Sequence, residues 1–136
     1  MTRKLPRVKE ASGDSIQNSR MAVSLMTEEA QADRECFWVL HLNTKNRLIE
    51  KELVSMGTVS FSPVHPREVF KKAILNGATS IITVHNHPSN DTSPSQDDKD
   101  IWRRLDEVGR IIGIHVLDHI IISPSGAYFS GREHQP

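Results

Sequence analysis

Apolar and polar positions in the first half of the chain predict a helix followed by a β-hairpin. Asp14 is a candidate N-cap for a helix over residues 15–31, where an imperfect apolar stripe recurs at helical spacing. Residues 35–42 and 48–55 are rich in apolar side chains and flank a polar turn, which predicts two antiparallel strands. Gly57 is expected to end or bulge the second strand.

The second half alternates helices with strands. Residues 66–75 have helical spacing, with Pro66 in the first turn and Gly77 just beyond the end. Residues 79–84 form a short apolar and β-branched run, which is typical of a strand buried on both faces. This strand is therefore expected at the centre of the sheet. Residues 94–112 predict the longest helix.

The order of the elements indicates the fold class. The longest helix begins with a capping-box pattern over residues 93–96. Its apolar face is formed by Ile101, Leu105, Val108 and Ile112. Residues 115–123 and 127–129 add two strands around a Pro-Ser-Gly turn, which gives the order αββαβαββ. Hairpins and crossover helices then coexist, so we predict one layered α/β domain with a mixed sheet.

Length and composition limit the class of protein. The 136 residues, 37% hydrophobic and 25% charged, suit one soluble globular domain with a modest core. No stretch approaches the roughly 18 apolar residues of a membrane span, and the N-terminus lacks the apolar core of a signal peptide. We therefore expect no membrane partner and a cytoplasmic location. Arg3, Lys4, Arg7 and Lys9 predict a basic, flexible arm over residues 1–13, ahead of a domain over residues 14–136.

Charge and cysteine content exclude several kinds of site. The 17 Lys and Arg balance 17 Asp and Glu, which argues against a large phosphate-binding face. Cys36 is the one cysteine, so internal disulfides and sites with several thiolates are excluded. It is most simply a small buried hydrophobe. Metal ligands must therefore be histidine or carboxylate.

Candidate chemistry is concentrated where the central strand ends. His85 and His87 are two residues apart, so an extended strand would aim both imidazoles to one side. Ser95 and Asp98 share one face at the start of the long helix. Two imidazoles with a carboxylate and a hydroxyl are the composition of a catalytic zinc site with a fourth position open for water. Glu35 is the candidate base, although spacing alone does not bring it near the histidines.

Each of these residues also has a simpler interpretation. An arbitrary His-x-His is more often a solvated turn than a pair of ligands. Asp98 could merely favour the positive end of a helix, and Ser95 could be only an N-cap. Glu35 could be an exposed charge at a strand edge. The spacing of all the residues together favours metal ligation.

The combined pattern resembles the JAMM (MPN+) metallohydrolase motif. The residues that carry the resemblance are Glu35, His85, His87, Pro88, Ser95 and Asp98. The segments 64–68, 85–89 and 117–121 resemble the RadC branch, a bacterial JAB-domain family often labelled as DNA repair. Many relatives have Gly where Asn90 stands. Asn tolerates left-handed conformations, so the loop geometry is expected to survive this difference.

The resemblance implies a single JAB/MPN-like domain, with a mixed β-sheet packed between helices as in cytidine deaminases. It also implies that His85, His87 and Asp98 bind one Zn²⁺ per chain, that Glu35 is the general base and that Ser95 donates to the oxyanion. Longer members carry an N-terminal helical region that resembles a DNA-binding domain. This chain has no room for one, so it resembles the short, stand-alone members often encoded in mobile elements.

Two classes of function remain open at this stage. The first is a hydrolase that cleaves an amide, peptide or isopeptide bond of a peptide or protein substrate. The alternative is a DNA-repair or mobile-element-associated protein that binds nucleic acid or a protein partner without hydrolysis, which zero net charge disfavours. A zinc deaminase would need His-x-Glu and paired cysteines, which one cysteine cannot supply.

Overall fold

The five strands form a single mixed sheet. A computed structural model describes residues 9–57 and 64–134. The strands are β1 (Cys36–Leu42), β2 (Leu48–Met56), β3 (Ser80–Asn86), β4 (His115–Ile122) and β5 (Tyr128–Ser130). Their order in the sheet is β2-β1-β3-β4-β5. Among the strands of the described residues, only β3 and β4 run parallel, so the central position of β3 and the mixed sheet are both confirmed.

Helices cover both faces of this sheet. They are α1 (Ser19–Ser24), α2 (Pro66–Leu75) and α3 (Gln96–Ile112), with a 3-10 turn at Glu29–Gln31. One buried cluster joins α1 to alternate residues of β1 and β3, such as Leu40 and Val84. The other joins α2 and α3 to the opposite side of the same strands, through residues such as Val39 and Ile81. The predicted α/β sandwich of helix, sheet and helix is therefore confirmed, and among the described residues no helix is both long and apolar enough to cross a membrane.

The first helix is much shorter than the pattern predicts. Its N-cap is Asn18, whose side chain accepts a hydrogen bond from the Met21 amide, and Asp14 does not cap it. Ser15 and Ile16 are instead held by the β1–β2 turn, through bonds to the carbonyls of Lys45 and Asn46. These long-range bonds keep the segment before Asn18 out of the helix.

The predicted arm lies only partly within the described residues. Arg3, Lys4 and Arg7 fall outside them. Ser12 makes a bridge to Leu48 at the edge of the sheet, and its amide donates to the Leu48 carbonyl at 2.9 Å. The last residues before the domain thus lie along β2.

The long helix begins at Gln96, and its capping box uses other residues than predicted. Ser95 Oγ accepts from the Asp98 amide, and the Asp98 carboxylate accepts from the Ser95 amide. An ionised carboxylate is a stronger acceptor than the Gln96 amide oxygen, which explains the shift from residues 93–96. Helix α3 ends at Gly113, which has a positive φ of 79°.

The buried face of α3 contains the predicted stripe except for Ile112, which is 41% exposed. Trp102 and Gly109 are also buried. A Cβ on Gly109 would lie 2.5 Å from the Ile114 carbonyl oxygen, so only glycine allows α3 to approach the start of β4 this closely. This contact fixes the end of α3 opposite to Asp98.

A buried histidine lies at the end of β1 farthest from the candidate site. His41 is fully buried. Its Nδ1 is 2.9 Å from the Asn76 amide nitrogen, which can only donate, so its Nε2–H donates to Glu52 at 3.0 Å. This arrangement suits the neutral ring, and burial lowers the pKa of His41 to about 4 despite the raising effect of Glu50.

We expect the free energy of unfolding to decrease as the pH falls from about 6.5 to about 4. The pKa of His41 is lowered in the folded state, so the unfolded chain binds more protons across this interval. The full shift corresponds to a loss on the order of 3 kcal/mol. Urea unfolding at a series of pH values measures it, and His41→Gln should flatten the profile. An equally steep profile in that variant would contradict the assignment. Glu50, whose pKa is about 2, adds its own loss only below pH 4.5.

Candidate metal centre

Two histidines and an aspartate converge at the boundary between β3 and α3. His85 is the second-last residue of β3, and His87 follows that strand directly. Asp98 lies in the first turn of α3. One ligand atom from each lies within 4.8 Å of the others. The two Nε2 atoms are 3.0 Å apart. His85 Nε2 is 3.3 Å from Asp98 Oδ1, and His87 Nε2 is 3.7 Å from Asp98 Oδ2.

These distances fit a tetrahedral zinc ion. Zinc binds histidine nitrogen and carboxylate oxygen at about 2.0–2.2 Å, so two ligands of a tetrahedral ion lie roughly 3.3 Å apart. The distance between the two Nε2 atoms and the distance from His85 Nε2 to Asp98 Oδ1 are close to that value, while His87 Nε2 approaches the other oxygen of Asp98. With three protein ligands, the fourth position of the tetrahedron is left for water or substrate.

The protonation of His87 also favours a cation here. His87 Nδ1 lies 2.6 Å from the Asp91 carbonyl oxygen, which can only accept, so Nδ1 carries the hydrogen. In the neutral ring, Nε2 therefore presents a lone pair to the cluster. The Asp98 oxygens are acceptors as well. A backbone carbonyl bonded to the distant ring nitrogen is the usual way in which a metal-binding histidine is oriented.

Asp98 is ionised by its surroundings. Burial raises the pKa of Asp98, but the hydrogen bond and charge of His85 and the hydrogen bonds of Ser95 outweigh it and bring the pKa to about 2. The side chain is 16% exposed. Asp98 is thus a carboxylate at neutral pH, the form that binds a metal ion. Its neighbour Asp97 is exposed and lies outside the cluster.

Ser95 combines two structural features that leave its hydroxyl hydrogen available. Its Oγ accepts from the Asp98 amide at 3.1 Å, and its own amide donates to Asp98 Oδ2 at 2.8 Å. A hydroxyl that accepts one bond still has one hydrogen to donate. The side chain is exposed beside the cluster, so a substrate oxygen can reach it.

The structure brings Glu35 to the same place, which spacing alone did not show. Its Oε1 is 3.9 Å from His87 Nε2, and its side chain is 55% exposed. The main chain is fixed on the β2 side, because the Glu35 carbonyl accepts from the Gly57 amide at 2.8 Å. Glu35 is not one of the three clustered ligand groups. Its position therefore suits a carboxylate that acts on a molecule bound at the cluster.

Asn86 holds this segment in place and is a residue that the sequence analysis missed. It is fully buried, and its Oδ1 accepts from the Cys36 amide at 2.7 Å. Its Nδ2 donates to the carbonyls of Ala32 and Arg34. Because side chains alternate along β3, the Asn86 side chain points away from the two histidines. Its hydrogen bonds hold the backbone on both sides of Glu35. Nothing in local sequence reveals a bond across 50 residues.

One side of α3 carries a second feature that the sequence analysis missed. Asp98, Trp102 and Asp106 are spaced four residues apart, so they share a helical face. The Trp102 ring lies 6.5 Å from His85 and stacks on His119 at 5.3 Å. Asp106 Oδ1 contacts His119 Nε2 at 2.8 Å. The residues of this face pack α3 against β3 and β4 in the two helical turns that follow Asp98.

The loop between the candidate ligands behaves as predicted. Asn90 has a φ of 70°, in the left-handed region that its side chain tolerates. Its Oδ1 also accepts from the Ser125 amide, which ties the loop to the β4–β5 turn.

Cys36 is buried, as predicted, and burial raises the pKa of its thiol.

A small cavity opens beside the cluster. Its volume is about 70 Å³, and it is lined by Glu35, His85 and Asp98 on one side and by apolar residues such as Phe37 and Ile101 on the other. A cavity of this size admits water or a small group. Glu35, His85 and Asp98 thus share one accessible space.

A family model and several curated relatives match the chain. The family described as "RadC-like JAB domain" matches residues 16–135. A relative named UPF0758 protein in Finegoldia magna is 58% identical over 96 residues, which cover 71% of this chain and 43% of the relative. Another in Desulforudis audaxviator is 52% identical over 109 residues, 79% of this chain and 47% of the relative. The chain spans about half the length of these curated relatives.

Proposed function

Because the chain belongs to the RadC-like JAB domain family, we propose that it is a zinc-dependent hydrolase that cleaves an amide, peptide or isopeptide bond. The observation that supports this most directly is the convergence of His85, His87 and Asp98, with ligand atoms within 4.8 Å of one another. Glu35 lies beside them, and among the described residues its carboxylate has only His87 as a partner. The proposed partner is a peptide or protein substrate.

The three clustered residues would bind one zinc ion per chain. His85 and His87 would each provide Nε2, and Asp98 would provide a carboxylate oxygen. A bound zinc ion supplies Lewis acidity, which polarises a carbonyl and lowers the pKa of water. The Asp91 carbonyl keeps Nε2 of His87 free of hydrogen for this role, and the capping box fixes Asp98 in position.

Glu35 and Ser95 would carry out the proton transfer and the stabilisation of charge. Glu35 would accept a proton from the water that attacks the substrate carbonyl and deliver it to the leaving amine. Its carboxylate, on the residue before β1, is 55% exposed and would be accessible to both molecules. Ser95 Oγ would donate its hydrogen to the oxygen on which negative charge develops.

Metal content tests the first step of this proposal without any substrate. We expect about one zinc ion per purified chain, and we expect it to be lost in His87→Ala and Asp98→Ala, because each variant removes one of three protein ligands. Elemental mass spectrometry after exhaustive dialysis measures the content. Asp97→Asn is the matched control, since its exposed carboxylate lies outside the cluster.

The same measurement can overturn the proposal. A wild-type protein that holds no zinc and takes up none on addition would exclude a zinc hydrolase. Zinc retained in both ligand variants would show that the ion binds elsewhere. A positive result would justify a screen of peptide and isopeptide substrates.

A further inference from the structure

A second, larger groove begins next to the candidate metal centre. It lies between α3 and the β4–β5 strands and has a volume of about 690 Å³. Trp102 lines both this groove and the small cavity that contains Glu35, His85 and Asp98. Trp102 therefore lies between the two, so a ligand in the groove would lie next to the metal centre. We call it the α3–β4 groove.

The available charge in the α3–β4 groove is positive. Its cationic lining consists of Lys99, Arg103, Arg110 and Arg132, all exposed. Within residues 9–57 and 64–134, only Arg103 among these four has an ion-pair partner, Asp100 at 3.4 Å. This positive surface belongs to a chain whose net charge is zero.

The two acidic residues of the groove are engaged in structural bonds. Asp106 Oδ1 contacts His119 Nε2 at 2.8 Å. Asp118 accepts from the Ser130 hydroxyl and from the amides of His119 and Arg132. Both carboxylates keep their negative charge, but four cationic side chains face these two carboxylates in the lining, and this excess of positive charge favours an anionic ligand.

The aromatic floor of the groove favours a peptide over nucleic acid. Phe129 stacks on His134 with ring centroids 4.1 Å apart, and its ring lies 6.0 Å from Trp102. Trp102 is itself buried against His119. Proteins that bind single-stranded nucleic acid present open ring faces on which bases stack. Of the four rings here, His134 alone is exposed, so the groove offers little open ring surface for bases, and side-chain and backbone contacts remain as the means of recognition.

We infer that the α3–β4 groove binds an acidic peptide segment of the substrate. Carboxylates of that segment would pair with Lys99, Arg110 and Arg132, and its backbone would lead past Trp102 to the metal centre. This inference rests on the proposed hydrolase function for the fate of the bound segment. The binding itself needs no turnover and is measured separately.

Fluorescence anisotropy with labelled probes tests the inference on the full chain. The probes are a short Glu-rich peptide, the same peptide with Gln at every Glu position, and a single-stranded DNA oligonucleotide of similar length. We expect the Glu-rich peptide to bind most tightly and to weaken as salt is added. The double variant Lys99→Glu/Arg110→Glu should weaken it roughly tenfold, because two attractions become repulsions.

The matched control lies on the same helix. Arg104 is exposed and does not line the groove, so Arg104→Glu should leave the affinity for the Glu-rich peptide unchanged. Equal binding of the Glu and Gln peptides, or an equal loss in Arg104→Glu, would overturn the inference. Tighter binding of the oligonucleotide, lost in the groove variant, would also overturn it and assign the groove to nucleic acid.

His87→Ala separates this inference from the proposed function. That variant should lose zinc and hydrolysis yet keep the affinity for the Glu-rich peptide, because His87 does not line the groove. If the groove fails to bind acidic peptide while the wild-type protein holds zinc and hydrolyses other peptides, the inference is wrong and the hydrolase function stands. If the wild-type protein holds no zinc but binds the Glu-rich peptide, the proposed hydrolase function is wrong and the inference about the α3–β4 groove stands.

Discussion

Glu35→Gln is expected to lower kcat/KM about 10²- to 10⁴-fold on any peptide or isopeptide that the wild-type protein cleaves. This range is the usual contribution of a positioned acid–base group and corresponds to about 3–5 kcal/mol of activation free energy. The amide has nearly the shape of the carboxylate but cannot accept the proton of the attacking water. Because Glu35 is not one of the clustered ligands, the zinc content should not change.

The measurement is a pair of assays on the same preparation, steady-state kinetics and elemental mass spectrometry. Asp33→Asn is the matched control, since Asp33 is two residues away and 85% exposed, with Arg34 as its partner. Its rate should equal that of the wild type. If Glu35→Gln were as active as the wild type, another group would be the base. If it lost zinc, Glu35 would be a ligand instead.

Asn86→Ala is expected to lower the free energy of unfolding by about 3 kcal/mol. The substitution leaves the buried Cys36 amide without its acceptor, and an unpaired buried group costs about 1–3 kcal/mol. It also removes two part-buried hydrogen bonds to the carbonyls of Ala32 and Arg34. The loss should also release the segment that carries Glu35. We therefore expect a lower turnover rate, measured with zinc still bound.

Urea unfolding followed by circular dichroism measures the loss of stability. Asn43→Ala is the matched control, because that side chain also bonds two backbone amides, those of Lys45 and Arg47, but at an exposed turn. Water can replace those bonds, so the control should lose about 1 kcal/mol or less. Equal losses in the two variants would show that burial of Asn86 contributes nothing.

The sequence predicted those features that depend on local spacing. The i, i+2 separation of His85 and His87 places both imidazoles on one side of β3, as an extended strand requires. Pro66 and the apolar spacing behind it correctly predicted α2. The buried, β-branched strand is central in the sheet. The orientation of the two histidines, helix α2 and the buried strand each depend on a segment of about ten residues, so a single sequence is enough to predict them.

Features that depend on distant partners could not be predicted. Helix α1 begins later than predicted because Ser15 and Ile16 are bonded to a turn some 30 residues away. Glu35 lies near His87 only because the antiparallel pairing of β1 with β3 sets Phe37 opposite His85. The resemblance to a family implied the role of Glu35. The residue that secures its position, Asn86, was missed because its bonds cross the sheet.

The shared face of α3 restricts where the chain can change length. Asp98 belongs to the metal centre, and Trp102 and Asp106 fasten the next two turns of the helix to His119. Each inserted or deleted residue would rotate the following part of the helix by roughly 100°. An insertion between Asp98 and Trp102 would therefore either move the Asp98 carboxylate away from the metal centre or break the contacts of Trp102 and Asp106 with His119. We therefore expect no insertion or deletion to be tolerated within these two turns of α3.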